Sequence, residues 1–285
     1  MIELSIEEFE KELRRDQKSE STIKNYSLAV KEFCNYLGSK NKHEHFTKDD
    51  ILLYLALLKE KYRCKETINI KLNGINRYLK KINLSDFCVK LLNVKKHTFL
   101  HDNEIFTDEE IEIILNEAKK KNKRLYMTLR ILFQTGIRIS EMEYITYEAI
   151  QKGIAEIYNK GKEREVPIPP DLCKILLEYC IENNINSGPI IITRNKKRVH
   201  RSYLYREIHN FIISLEIDKK KAHPHTFRHK FAIDYLKAYS EIAIYNLADI
   251  LGHQKIETTR IYLRKPISEI RESMMYEKLQ KKIAS

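Results

Sequence analysis

Turn-forming residues are scarce in this chain: seven glycines and six prolines serve 285 residues. Sheet-rich folds use such residues at every reversal of direction, so the scarcity calls for long helices joined by few tight turns. The apolar pattern agrees. Ile23, Tyr26, Val30, Phe33 and Leu37 follow one another at three- and four-residue steps, the repeat that lines one face of a helix. Gly38 is placed to end that helix. Ser5 with Glu8, and Thr47 with Asp50, have the spacing of N-terminal capping boxes, and Leu4 with Phe9 that of a hydrophobic staple. A third helix carries Ile51, Leu52, Leu55 and Leu58, and a fourth Ile68, Leu72, Ile75 and Leu79. The other face of the fourth bears Lys71, Arg77, Lys80 and Lys81. Such a face is ordinarily just solvated, but it is equally a candidate contact for phosphates.

Residues 95–104 (KKHTFLHDNE) have no periodicity and read as a linker. The expected division is a helical domain at 1–96, a linker at 97–105 and a second domain at 106–285. Thr107 with Glu110 opens the second domain with another capping box, and Phe106 with Ile111 with another staple. Helices are expected at 107–121, 123–136, 170–183, 202–214, 225–238, 241–252 and 256–262. Two short strands, 153–158 and 165–168, flank the turn 159–162 (NKGK), where Gly161 supplies the special backbone geometry. The chain closes with an amphipathic stretch at 267–285. The fold class is therefore mainly α, with a small β-sheet in the second domain (α+β).

Lys and Arg outnumber Asp and Glu by 52 to 40, a net charge of +12. A polyanion is the favoured partner, nucleic acid ahead of a membrane surface, although a Lys-rich proteome alone would give a similar balance. The cysteines, Cys34, Cys64, Cys88, Cys173 and Cys180, are odd in number and form no CxxC pair. That fits a reducing cytoplasm without a disulfide framework or zinc ribbon. The start, MIELSIEEFEKELRRD, has no basic segment leading into an apolar one and so is not expected to be a signal peptide. The longest apolar stretch, 51–58, is too short to span a bilayer, and no membrane partner is expected.

Five short segments of the second domain carry the chemistry: TGIRISE (135–141), NKGKEREVPIP (159–169), HPHTFRH (223–229), LGH (251–253) and TTRIY (258–262). Singly, each is ordinary. Arg138 past a helix end is usually a surface residue, with Glu141 as an ion-pair partner three residues on. Lys160 on a turn is usually solvated. His225 and Arg228 share a helix face. His225 and His229 stand four apart, as metal ligands can, but no third ligand is evident and no metal is expected. Together, two Arg, two His, one Lys and one Tyr suit a phosphodiester. Arginine forks grip nonbridging oxygens, a tyrosine can form a covalent phosphoryl intermediate, and Lys or His can protonate a departing alkoxide. No P-loop, GxGxxG or GxSxG motif competes with this reading.

The order and spacing of these segments resemble the tyrosine recombinase (lambda integrase-like) family, in its Xer-type two-domain branch. TGIRISE is similar to the box with the first Arg, HPHTFRH to the HxxR box, and LADILGHQKIETTRIY to the final box. NKGKEREVPIP resembles the hairpin that brings the Lys, and STIKNYSLAVKEFCNYL the opening helix of the SAM-like core-site-binding domain. The resemblance implies a site-specific DNA recombinase that cuts and rejoins strands through a 3′-phosphotyrosine on Tyr262. Arg138 and Arg228 would clamp the phosphate and Lys160 would protonate the 5′ oxygen. His225 would be a general acid/base, His253 would hydrogen-bond the phosphate, Glu141 would orient Arg138, and His229 would play a supporting part. Lys162 is a rival for the Lys role.

The resemblance further implies no cofactor and a two-domain clamp on double-stranded DNA with specific core sites. It implies a homo-tetramer on DNA, or a paired hetero-recombinase, with 267–285 docking on a neighbouring protomer, in the cytoplasm at the nucleoid. Dimer resolution and integration or excision of a mobile element both remain open. So do two other readings, a catalytically silent DNA-binding regulator of the same fold and a relaxing type IB-like topoisomerase. The chain departs from the family pattern twice. Residues 237–241 (KAYSE) stand where a Gly-containing turn is usual, and Leu263–Arg264 where Xer-type proteins place a Thr-His pair.

Overall fold

The computed structural model describes residues 5–40, 45–94, 104–159, 161–240 and 243–263. The proposed staple at Leu4, the hairpin Lys160, most of the linker and the closing stretch 267–285 lie outside the described residues. The chain divides into two compact units, Met1–Lys96 and His97–Ser285.

The first unit is built from α1 (Ile6–Arg15), α2 (Glu20–Ser39), α3 (Lys48–Lys61) and α4 (Lys65–Lys81), followed by a short 3-10 turn at Ser85–Phe87. The Ser5–Glu8 box forms in both directions, satisfying two amides that a helix start would leave orphaned. The three- and four-residue steps of α2 put Phe33 and Leu37 into one core with Ile51, Leu58, Leu72, Ile75 and Leu79. Burial of each such side chain is worth roughly 1.5–3 kcal/mol. Contrary to expectation, α2 runs through Gly38 to Ser39 before it stops. Asn69 and Asn76, two turns apart on α4, each exchange two hydrogen bonds with extended chain, at Leu92 and Val89 respectively. Those amide side chains do the work of a neighbouring strand and fix the chain that leaves the unit.

The second unit is also mainly helical. Its elements are α5 (Asp108–Lys121), α6 (Lys123–Thr135), a 3-10 helix (Ile139–Tyr144), α7 (Tyr147–Lys152) and the antiparallel pair β1 (Ile154–Asn159) and β2 (Lys162–Pro167). Then come α8 (Pro170–Glu182), α9 (Arg201–Ser214), α10 (Pro224–Tyr239), α11 (Ile244–Leu251), α12 (Ile256–Thr259) and a final 3-10 turn (Arg260–Leu263). The main core joins Leu125, Leu129 and Leu132 of α6 to Ile157, Val166, Leu176, Ile208 and Phe227. A smaller cluster lies beside it: Ala232, Leu236, Ile244, Leu247, Leu251 and Tyr262. α10 serves both, giving Phe227 to the main core and Ala232 and Leu236 to the satellite.

The hairpin differs from expectation. Its second strand begins three residues early, and the register runs Ile157↔Arg164 to Asn159↔Lys162. Charged Glu163, Arg164 and Glu165 lack the look of a strand, yet period-two alternation puts Arg164 on the same face as buried Val166. The KAYSE junction also takes a distinct form: Ser240 ends α10 with φ 69° and ψ 170°.

Candidate active site

Four local devices bring the chemical residues to one end of the second unit. α6 ends in Gly136, whose left-handed φ of 63° turns the chain sharply. A Cβ there would sit 2.2 Å from the Phe231 ring, so only glycine fits. Two residues on, Arg138 starts the 3-10 helix, and Glu141 caps it by accepting from the Arg138 amide at 2.8 Å. His223 and Pro224 start α10, which presents His225, Arg228 and His229 at helical spacing. α11 stops at Gly252 (φ 65°), delivering His253, and the last 3-10 turn carries Tyr262.

Arg228 is the centre of the arrangement, at 2% exposure. Nη1 donates to the Gly136 carbonyl at 2.8 Å, Nη2 donates to the Leu251 carbonyl, and Nη2 lies 3.2 Å from His253 Nε2. The carbonyl ends of two helices therefore hold one guanidinium. Burial, then the nearby Arg138 charge, bring its pKa down to about 10, which leaves it charged at neutral pH. Because arginine only donates, His253 Nε2 must accept, and its Nδ1–H faces Thr259 Oγ1 at 2.9 Å. Burial and three neighbouring arginines push His253 down to about 4, keeping it neutral.

Glu141 ties down the other arginine. Its carboxylate accepts from Arg138 Nη1 at 2.9 Å and from Arg164 Nη1 and Nη2 at 3.1 and 2.7 Å. Burial opposes its ionisation, but the Arg164 and Arg138 hydrogen bonds win and hold the carboxyl at about 2. Arg164 also donates from Nε to the Ile250 carbonyl at 2.9 Å. A Cβ at position 252 would meet the Arg164 side chain at 2.8 Å, so Gly252 makes room for it. Arg164 and Thr259 are the members that sequence reasoning missed. Arg164 was hidden in a charged turn, and the only cue to it was its even spacing from Val166. Thr259 lay inside the TTRIY segment with no role of its own.

Tyr262 is 7% exposed, and His229 Nδ1 stands 3.1 Å from its hydroxyl. Burial raises the phenol's pKa, while the charges of Arg228 and Arg138 and a hydrogen bond from Arg228 oppose the rise. His229 is pushed down to about 4 by burial, then by His225 and Arg228. His225 is more open to solvent and is lowered by the protein packed around it and by Arg228 and Arg138. Arg138, His225 and His229 line a cavity of about 860 Å³ together with Arg201, Tyr205 and Lys220. Three guanidiniums stand against one carboxylate in the described cluster, an excess of positive charge suited to an anion.

Of the residues singled out in the sequence, the structure gathers Arg138, Glu141, His225, Arg228, His229, His253 and Tyr262. Lys160 lies outside the described residues, and nothing is described of the Lys162 side chain. In the first unit, Lys71 pairs with Glu32 at 2.5 Å, Arg77 pairs with Asp16, and Lys81 pairs with Glu12 at 2.7 Å. Lys80 is exposed. Among the described residues no group of three His, Cys, Asp or Glu could hold a metal ion. Nor is any helix among them long and apolar enough to cross a membrane.

The Phage integrase family matches residues 104–268, and the N-terminal SAM-like domain of phage integrases matches residues 6–96. The first match alone covers more than half of the 285 residues, so the chain belongs to the phage integrase family. It is similar to the tyrosine recombinase XerA of Pyrococcus furiosus, 27% identical over 276 residues that cover 94% of this chain and 92% of that protein. It is also similar to the tyrosine recombinase XerD of Oceanobacillus iheyensis, 25% identical over 284 residues, covering 92% and 94%. The fold is shared with the XerH site-specific recombinase bound to its difH substrate in a pre-cleavage complex. That pair has a TM-score of 0.71 at 18% identity, over 95% of this chain and 84% of that one. A lambda integrase dimer bound to a COC′ core site gives 0.68 at 14% identity, over 90% and 75%.

Proposed function

We propose that this chain, a tyrosine site-specific recombinase of Xer-like type, cuts DNA with Tyr262 as nucleophile. The observation that carries the reading is the Tyr262 hydroxyl beside buried, charged Arg228 and neutral His229, on the cluster that also holds Arg138. Arg138 and Arg228 grip the nonbridging oxygens of the scissile phosphate, where charge builds as Tyr262 attacks. Their carboxylate and carbonyl partners fix both forks before DNA arrives, so little reorganisation is needed at the moment of reaction. His253, which in the free protein holds Arg228 through Nε2 and Thr259 through Nδ1, exchanges its Arg228 contact for an Nε2–H hydrogen bond to the phosphate when DNA docks. The 5′ oxygen leaves with a proton from Lys160, with His225 at the open edge of the cavity as a further acid/base. The 3′-phosphotyrosine conserves the bond energy for rejoining, so the cycle draws on no nucleotide or other cofactor.

The enzyme acts in the cytoplasm on specific core sites in duplex DNA and assembles as a homo-tetramer on two sites. A lambda integrase tetramer bound to a Holliday junction has the same fold at a TM-score of 0.67. Similarity to the tyrosine recombinases XerA and XerD along nearly the whole chain supports the Xer-like reading, with dimer resolution and mobile-element integration or excision as the two roles for the same chemistry. A silent regulator has no use for two preorganised arginines around a buried tyrosine. A relaxing topoisomerase would not require two sites.

The test is covalent trapping on labelled DNA fragments flanking the protein's own gene. The wild type is expected to leave protein-linked label after denaturation and Tyr262→Phe none. Label persisting on Tyr262→Phe would overturn the nucleophile.

A further inference from the structure

Tyr262 must lose its proton as its oxygen bonds to phosphorus, and burial makes that loss harder. Among the described residues, two side chains meet the hydroxyl, Arg228 and His229. Arg228 can only donate. His229 Nδ1, at 3.1 Å, is within proton-transfer distance. We propose that His229 takes the Tyr262 proton in strand cleavage and returns it in rejoining, an inference that rests on Tyr262 being the nucleophile.

In cleavage, the Tyr262 Oη–H bond breaks and its proton passes to His229 Nδ1 as the Oη–P bond forms. The P–O5′ bond breaks, and the 5′ oxygen leaves as a hydroxyl with a proton from Lys160 or His225. In rejoining, a 5′ hydroxyl attacks phosphorus, Tyr262 departs, and His229 hands the proton back. No oxidant, reductant or further reactant enters.

Three features single out His229. Its place one residue beyond Arg228 on α10 lets a single helix turn hold both a phosphate ligand and a base. It is neutral in the free protein, so a ring nitrogen has an open lone pair. Burial is the main cause of that neutrality, and the charges of His225 and Arg228 add to it. A phosphodiester docked on Arg138 and Arg228 brings negative charge that offsets that repulsion, so the ring gains basicity once substrate is bound. His253, the other neutral histidine, has both nitrogens committed, to Arg228 and Thr259, and meets Tyr262 only as a stacked ring 6.4 Å away. His225 faces His229 across 5.8 Å between ring centres and lies on the more open side, where a leaving group needs its acid.

The experiment uses the full-length protein and two duplexes carrying the mapped cleavage position, one ordinary and one with sulfur as the bridging 5′ atom. A thiolate leaves without a proton, so the sulfur duplex rescues a lost acid and cannot rescue a lost base. Lys160→Ala is expected to recover on it. His229→Asn is expected to form adduct roughly 10²-fold more slowly on both duplexes, with binding of uncleaved DNA unchanged. His229→Gln run alongside keeps the test open should the Asn variant fail to fold.

The variant's rate should also acquire a first-order rise with hydroxide that the wild type lacks, which a merely misplaced tyrosine would not show. Groups whose charge bears on that profile are His225 and Arg228 on α10, Arg138, His253 and Tyr262. Around the cavity stand Glu104, Arg201, Lys220 and His223. Recovery of His229→Asn on sulfur, an unchanged rate, or no hydroxide dependence would overturn the proposal. No adduct from the wild type would remove the nucleophile reading first, and this inference with it.

Discussion

Glu141, at 1% exposure, accepts from two guanidiniums and one backbone amide. Its carboxyl sits at about 2, against 4.5 ordinarily. A folded-state pKa below the unfolded one adds stability that is fully present above the unfolded value and lost as pH falls towards the folded one. The shift corresponds to about 3 kcal/mol. His229 and His253, at about 4 against 6.5, act earlier: below pH 6.5 the unfolded chain takes up protons that these folded histidines refuse. Stability is therefore expected to fall in two overlapping stages, between pH 6.5 and 4 from the histidines and between 4.5 and 2 from Glu141. Urea midpoints measured across this range check it, and His229→Gln or His253→Gln should flatten the upper stage alone. Arg164→Met is expected to cost roughly 3 kcal/mol by stripping a partner from a buried carboxylate. Adding Glu141→Gln should recover much of that stability but not strand cleavage.

At the scale of elements, Ser240 occupies a backbone region that glycine alone adopts without cost. The penalty is roughly 1–3 kcal/mol, and glycine's greater freedom in the unfolded chain would give back about 0.5–1. Ser240→Gly is therefore expected to raise the melting temperature by a few degrees, read by calorimetry. Gly136→Ala should do the reverse, because its Cβ would strike the Phe231 ring and shift the carbonyl that holds Arg228. The departure at KAYSE was legible in the sequence as a missing glycine, although not the conformation it forces. Legibility elsewhere followed the same division. Capping boxes and apolar steps are local codes, and α1, α5 and much of the first unit's core could be read from them. The chemical boxes were readable because they resemble a known family, whereas Arg164 was not. Its value lies in Glu141, Ile250 and Gly252, which are distant in sequence and meet only in the folded chain.

Across the whole molecule, 52 basic against 40 acidic residues lead to the expectation that phosphate contacts carry much of the affinity for DNA. Affinity should fall roughly 10³-fold or more from about 50 to about 200 mM salt if several phosphates are neutralised, a slope that filter binding would give directly. Lys80→Ala is expected to weaken binding with little effect on stability. Arg77→Ala should also loosen α1, because it removes the partner of Asp16.

Tyr262 belongs to the satellite cluster with α11, outside the main core that anchors α6. A small cluster opens at lower free energy than a large one, so the backbone amides of α11 and of 256–263 should exchange with deuterium well before those of α6. The nucleophile would then have an opening equilibrium of its own, independent of global unfolding. In the proposed tetramer, a neighbouring subunit that covered the satellite would shift that equilibrium, and strand cutting would become conditional on assembly at no cost to the rest of the fold.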